Sequence, residues 1–533
     1  MSHRRFALAV ALLLLGYAAI ESLYIAHMPL VMDEFQGAYA VHELARGLPY
    51  RDFLPYKTVV GYYLQLPVLE LVPGLWASML AVKVEMMIAV VAALAAACAV
   101  LRRSIGEGAI VAALAMALAM SDFLERSADL RVDMLTAVFG LLSLLALLRR
   151  RDSLAGGLAA VSFLVSQKGA VFVVAGAALL LLNGGPFVGA ARSAARYLLT
   201  AAAPLTLYLI GWSCVAPPAV VFRSVMFGPA AVVTSDAVPI RAHFWLQTMS
   251  RNPLFYALAL LAVVVLARRA RGIAAYAAIV ALLAVAYPQP WPYHFVLLVP
   301  TMFVAIAAAL DDWLGRPRWR WAVMGVIVVG AVAFPLSRLR VTLRRDNGPQ
   351  RAAVELAHAL VAKDETYLAG VDLLYDRRQA PEALRFLDNN LQIRLHHALP
   401  AQLAATAQAI AAAPNTLVIV NEQLSALPPP LLRVLRGRYA PLWGNVWIYA
   451  PAVLPGRFEL ERDGTYELQP LGAAGGMHID GAAVAGSVAL ARGAHTYAGA
   501  APLRLKLQPA GWRAMADRRF AAPQALFPAV YSY

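Results

Sequence analysis

The acids and bases that could do chemistry in this chain are gathered in a few places. Asp33 and Glu34 come directly after the first apolar stretch, residues 6–26, so a carboxylate pair stands at the mouth of a membrane helix. Arg46, Arg51 and Lys57 follow in the same loop. Ionisable groups at that depth are costly unless they face a polar cavity and act there. One carboxylate could take the proton from an acceptor hydroxyl while the other orients it. Lys57, with Arg51 nearby, could grip a phosphate, with the Tyr50, Tyr56, Tyr62 and Tyr63 rings at headgroup level. Plainer explanations stand beside these. The acids would favour the start of an interfacial helix over 35–46, Lys57 could snorkel, and Arg51 could simply pair with Asp52.

A second polar loop carries Asp122, Glu125, Arg126, Asp129, Arg131 and Asp133 ahead of another apolar helix. A solvated loop would explain these charges. The alternative we prefer makes Arg131 a second phosphate ligand and Asp133 its orienting partner, because both sit where the helix begins. Lys168 stands alone between two apolar runs, and His294 opens a later helix on the same side. Each could reach the same cavity, and each could be interfacial only. Lys83 and Glu85 lie two apart inside a helix, on different faces, and suggest no role.

Other chemistries find little support. Cys98 and Cys214 are isolated in apolar runs, with no metal-ligand spacing and no disulfide framework. There is no CxxC, HExxH or Walker-type glycine loop. Carboxylates alone could recruit a divalent cation only loosely.

These side chains must be positioned by membrane helices. Of 533 residues, 61% are hydrophobic and 14% charged, and the mean hydropathy is +0.63. A soluble protein of this size would carry more charge. Apolar runs predict helices near 6–26, 75–101, 107–120, 132–148, 153–165, 169–183, 197–216, 253–267, 272–287, 295–310 and 321–336. The net charge of +15 invites a nucleic-acid reading, but the basic clusters fall in short connections. Arg102-Arg103, Arg149-Arg150-Arg151, Arg268-Arg269 and Arg316, Arg318, Arg320 all lie on the side of Arg4 and Arg5. That is the positive-inside bias, so the charge reports topology and nucleic acid is not expected as a partner. External loops are then expected at 27–74, 121–131, 166–168, 217–252 and 288–294. The first stretch continues without a small-x-small cleavage site and reads as an uncleaved anchor.

Beyond a polar linker that starts at Arg338, helix and strand patterns alternate over 350–450, which predicts a small α/β unit. Period-two segments separated by Asp463-Gly464, Asp480-Gly481 and Arg492-Gly493 predict a small β-sandwich-like unit over 452–533. The expected division is 1–340, 341–451 and 452–533.

Asp33-Glu34, with Gly47-Leu48-Pro49-Tyr50-Arg51-Asp52-Phe53 and Lys57, resembles the first external loop of GT-C fold membrane glycosyltransferases. The likeness is to the bacterial branch related to protein O-mannosyltransferases and lipid-A aminoarabinose transferases (families 39 and 83). Leu130-Arg131-Val132-Asp133, Ser166-Gln167-Lys168 and Tyr293-His294 with Pro300 look similar to the same branch. The resemblance implies a polytopic helical domain of about 11 spans. It implies a polyprenyl (undecaprenyl) phosphate-linked sugar donor and inverting transfer to a hydroxyl of a glycolipid, glycan or protein acceptor. It also implies a multi-pass protein of the bacterial inner membrane, with the N-terminus cytoplasmic and the soluble tail periplasmic. Asp33 matches the catalytic acidic position and Lys57 a lysine that contacts the carrier phosphate; Arg131 and His294 match less closely. The tail departs from the family, although Ile479-Asp480-Gly481 and Gly493-Ala494-His495 look similar to carbohydrate-binding β domains. Two other functions compete: a transporter or flippase for a lipid-linked saccharide, and an inactive scaffold whose tail binds glycan. A transporter would be expected to show internal repeats and polar groups at the bilayer midplane.

Overall fold

The first helix, α1 (His3–His27), buries one stripe, Phe6, Val10, Leu14 and Tyr17, and leaves Leu8, Leu12 and Leu15 exposed. A helix that is apolar on both its packed and its open faces suits a lipid surround. The computed structural model describes residues 3–55, 57–183, 186–232, 238–286, 291–314, 344–473 and 475–527, together with Gly325 and Arg340. Two short helices follow α1: α2 (Met32–Arg46) and α3 (Val60–Leu71). Then come α4 (Leu75–Leu101), α5 (Glu107–Leu118), α6 (Ser121–Arg126), α7 (Val132–Leu148), α8 (Asp152–Val165) and α9 (Ala170–Leu182). A single tight turn, Gln167–Gly169, joins α8 to α9. The run ends with α10 (Phe187–Ser213), α11 (Pro218–Val232), α12 (Val238–Arg251), α13 (Pro253–Arg269), α14 (Arg271–Ala286), α15 (Pro292–Val296) and α16 (Val299–Leu314).

Among the described residues, α1, α4 and α10 are long and apolar enough to cross a membrane. Residues 244–251 and α13 would make a fourth span if taken together, although they meet at 96°. Asn252-Pro253 sets that break, because proline is tolerated at a helix start and not inside one. The remaining apolar helices are shorter, so the expected count of about 11 spans is not reached by length and composition. The expected helix over 321–336 lies outside the described residues.

One loop expected from sequence is corrected. Residues 217–252, expected as an external loop, contain the helices α11 and α12. For the charged second loop, the plainer alternative of a solvated loop does not hold, because every residue from Ser121 to Leu130 is buried, with ion pairs described below in place of water.

The tail opens with a helix, Gly348–Leu360, and builds a five-stranded sheet of order β2-β1-β3-β5-β4. Its strands are β1 (Thr366–Leu368), β2 (Arg378–Gln379), β3 (Asn415–Ile419), β4 (Tyr439–Trp443) and β5 (Val446–Tyr449). Strand β1 pairs parallel with β2 and β3, and β5 pairs antiparallel with β3 and β4. All of β3 is buried, which fits its continuous Leu417-Val418-Ile419 run at the sheet centre. Two antiparallel four-stranded sheets follow over 452–507, with alternating burial in the strand Leu503–Leu507.

The tail docks against the start of α2. Gln350 accepts from the Leu30 amide at 2.8 Å and donates to the carbonyls of Leu30 at 2.9 Å and Leu526 at 2.8 Å. Phe35 meets Phe527 edge to face, and Ser78 shares a hydrogen bond with Tyr375 at 2.8 Å.

Candidate active site at the start of α2

The loop after α1 turns at Leu30-Val31 and starts α2 at Met32, so Asp33 occupies the first helical turn. Acids are stabilised there by the unpaired amides and the helix dipole. Close packing brings the second loop to it. A Cβ placed on Gly37 would lie 2.6 Å from the Leu130 carbonyl oxygen, so only glycine lets α2 approach this backbone. Gly61 does the same for α3, where a Cβ would lie 2.6 Å from the Val132 side chain and 3.0 Å from Val165.

With the backbones this near, Arg131 pairs with Asp33, and its Nε lies 3.2 Å from Asp133. Asp133 also receives Lys57 at 3.0 Å on Oδ2 and Lys168 at 2.8 Å on Oδ1. The Arg131 guanidinium stacks 3.4 Å from the centre of the Tyr293 ring, and the Lys168 ammonium lies 5.6 Å from it. Asp33 is about one-third exposed, whereas Arg131, Lys57, Lys168 and Asp133 are 11% exposed or less. The cluster therefore has one open carboxylate in front of a closed set of charges. Three basic side chains, Arg131, Lys57 and Lys168, meet two carboxylates, Asp33 and Asp133, and burial above all pushes the Lys168 ammonium down to about 7. Burial pushes the Lys57 ammonium down, against the pull of Asp133. His294 is buried beside the same groups. Burial and then the Lys168 charge hold its ring well below the usual imidazole range, so it is neutral here.

Glu34 faces the other way. It is 1% exposed, accepts from the Val31 amide at 2.8 Å and the Leu130 amide at 3.0 Å, and holds Lys83 at 2.5 Å. The Val31 bond is the reach-back half of a helix-start capping box. Lys83 also lies 3.6 Å from Asp129, as does Arg126. Farther round the second loop, Arg251 holds Asp122 at 2.8 Å and Glu125 at 2.6 Å, and Asn252 binds Ser121 and Asp122.

Of the residues singled out from sequence, Asp33, Lys57, Arg131, Asp133 and Lys168 meet in one cluster with His294 beside it. Arg51 is not brought there: it is exposed and forms its bonds to the adjacent Asp52. Tyr50 is buried, shares a hydrogen bond with Tyr208 at 2.6 Å and packs on Trp212, and Tyr56 lies outside the described residues. Sequence reasoning quoted Tyr293 only as part of the family likeness, without a role, and missed the roles of Lys83 and Arg251. For Lys83 the signal was present, since an ammonium within an apolar helix needs a carboxylate at the same depth. Among the described residues, no three His, Cys, Asp or Glu side chains gather as a metal site.

No family model matches the chain, and no curated protein matches it. Among solved structures, it is similar to the Archaeoglobus fulgidus oligosaccharyltransferase in its apo form. The identity is 11% and the TM-score 0.48, over 81% of this chain and 72% of that one.

Proposed function

We propose that this chain is a membrane glycosyltransferase of the GT-C kind, which moves a sugar from a polyprenyl phosphate to a hydroxyl acceptor at the membrane surface. The observation that carries this reading is the cluster around Asp33: an accessible carboxylate set before three closely grouped, largely buried basic side chains. Basic groups crowded together out of water are expensive to keep charged, and a bound phosphate would favour their charged forms. Asp33 takes the proton from the acceptor hydroxyl, whose oxygen attacks the anomeric carbon from the face opposite the phosphate. The bond from that carbon to the phosphate oxygen breaks, inverting the centre, and the carrier phosphate leaves with the electron pair. Arg131 and Lys57, steadied by Asp133 and joined by Lys168, meet the charge that develops on it. In this scheme Glu34 acts through the backbone, by fixing where α2 begins.

The test is transfer from radiolabelled polyprenyl-phosphate sugar by the purified full chain in lipid nanodiscs. Asp33→Asn abolishes transfer while membrane insertion and folding are retained. Full transfer by that variant would overturn Asp33 as the base.

A further inference from the structure

A second site opens farther along α2, where the membrane part meets the tail. It is a cleft of about 270 Å³, close to the lower end of the roughly 300–1,000 Å³ of small-molecule sites. Tyr39, Glu43 and Arg46 of α2 form one wall. Arg378, Glu382 and Arg385 of the tail form the other, and Asp52 and Phe53 close the end. The Arg385 guanidinium lies 4.1 Å from the centre of the Tyr39 ring and 3.2 Å from Glu382. Arg377 also borders the cleft, but it is taken up by Asp376 and the Val361 carbonyl. Behind the wall, the Gln379 amide donates to Asp372 Oδ1 at 3.0 Å, and the other carboxyl oxygen of Asp372 is buried without a hydrogen bond.

The lining selects among ligand classes. The lining holds Arg46, Arg377, Arg378 and Arg385 against Glu43, Asp52 and Glu382, an excess of one positive charge. Arg377 and Asp52 are already paired with Asp376 and Arg51, so groups of both signs remain side by side and neither a strong anion site nor a cation site is built. A lipid chain would find too little apolar surface. A neutral polyhydroxylated ligand suits this wall: hydroxyls donate to carboxylates and accept from guanidinium groups, while sugar-ring C–H faces pack on Tyr39 and Phe53. From Asp33 to Tyr39 is roughly 9 Å along the helix axis and to Arg46 roughly 20 Å. A ligand held in the cleft reaches Asp33 only if it is a chain.

We infer that the cleft between α2 and the 378–385 segment binds an oligosaccharide, the acceptor whose free end is carried along α2 toward Asp33. The role as acceptor rests on the transfer reading, and the saccharide site does not. The experiment places a photoreactive benzoylphenylalanine at Tyr39, at the exposed Arg378 and, as a control, at Leu399, which is exposed outside the cleft. Each full chain is irradiated in its native membranes, and the adducts are read by mass spectrometry. Glycan-bearing adducts at Tyr39 and Arg378, several-fold above those at Leu399, are expected, and they persist when Asp33→Asn is added. Lipid-only or protein-only adducts, or adduct levels equal to those at Leu399, overturn the saccharide site even if transfer depends on Asp33. If transfer proves independent of Asp33 while the glycan adducts remain, the catalytic assignment falls and the cleft stands.

Discussion

Glu34 and Lys83 meet at 2.5 Å in the buried interior, and the same carboxylate takes the Leu130 amide at 3.0 Å. The residue next to Asp33 thus fastens the residue next to Arg131, which registers the two halves of the candidate site through their neighbours.

Breaking that pair on one side leaves a buried charge without its partner. Lys83→Met is expected to cost about 3–5 kcal/mol of stability. The Glu34→Gln/Lys83→Met double variant recovers part of this, because neither ion is then stranded. Denaturant unfolding in detergent checks both, and a double variant less stable than Lys83→Met alone would contradict the pairing.

Asp133 is the shared partner of Lys57, Lys168 and Arg131. Asp133→Asn removes its charge and loosens three cations at once. Under the proposed transfer, a donor phosphate would then meet a more positive site, so KM for the donor is unchanged or lower while kcat falls on the order of 10²-fold, as expected when transition-state alignment is lost. A raised KM with kcat retained would place Asp133 in contact with the acceptor instead.

Gly37→Ala puts a methyl group against the Leu130 carbonyl, which is backbone and cannot rotate away. A loss of about 1–3 kcal/mol is expected, with a fall in transfer because Arg131 moves relative to Asp33. Gly61→Ala meets the Val132 and Val165 side chains, which can adjust, and is milder. Wild-type transfer by Gly37→Ala would show that the approach of α2 to Leu130 is not needed.

In the tail, burial above all pushes the Asp372 carboxyl up to about 7, and Arg385 only partly offsets it. The folded chain keeps this proton to a higher pH than the unfolded chain, so its contribution is present below about pH 4 and declines as pH rises toward about 7. Asp372→Asn removes that decline, which amounts to as much as about 1.4 kcal/mol per pH unit across the window. The gain in unfolding temperature of the variant is therefore larger at pH 8 than at pH 5; an equal gain at both would contradict a raised carboxyl.

Much of the fold was legible where period and punctuation agree. The helices Leu75–Leu101 and Val132–Leu148 begin and end where the apolar runs do, and Pro400–Ala412 starts at its proline. The strand Val446–Tyr449 was legible from its β-branched and aromatic residues. Helices α11 and α12 were not, because the stretch between two apolar runs is itself broken by prolines and polar residues. The candidate site was visible as residue types but not as pairs. Nothing local in the chain couples Lys83 to a carboxylate 49 positions earlier, or Arg251 to one 126 positions earlier. Those partners are chosen by which helices cross, and a single sequence states charge and depth but not crossing.

The Gln350 clasp on Leu30 joins positions 320 apart, and it also takes in Leu526. During synthesis, the rim beside Asp33 must therefore wait for the segment around Leu526 to arrive before it can lock. A chain cut short of Leu526 has every helix up to α16 in hand but leaves the start of α2 unlatched, so the order of synthesis sets when the candidate site closes.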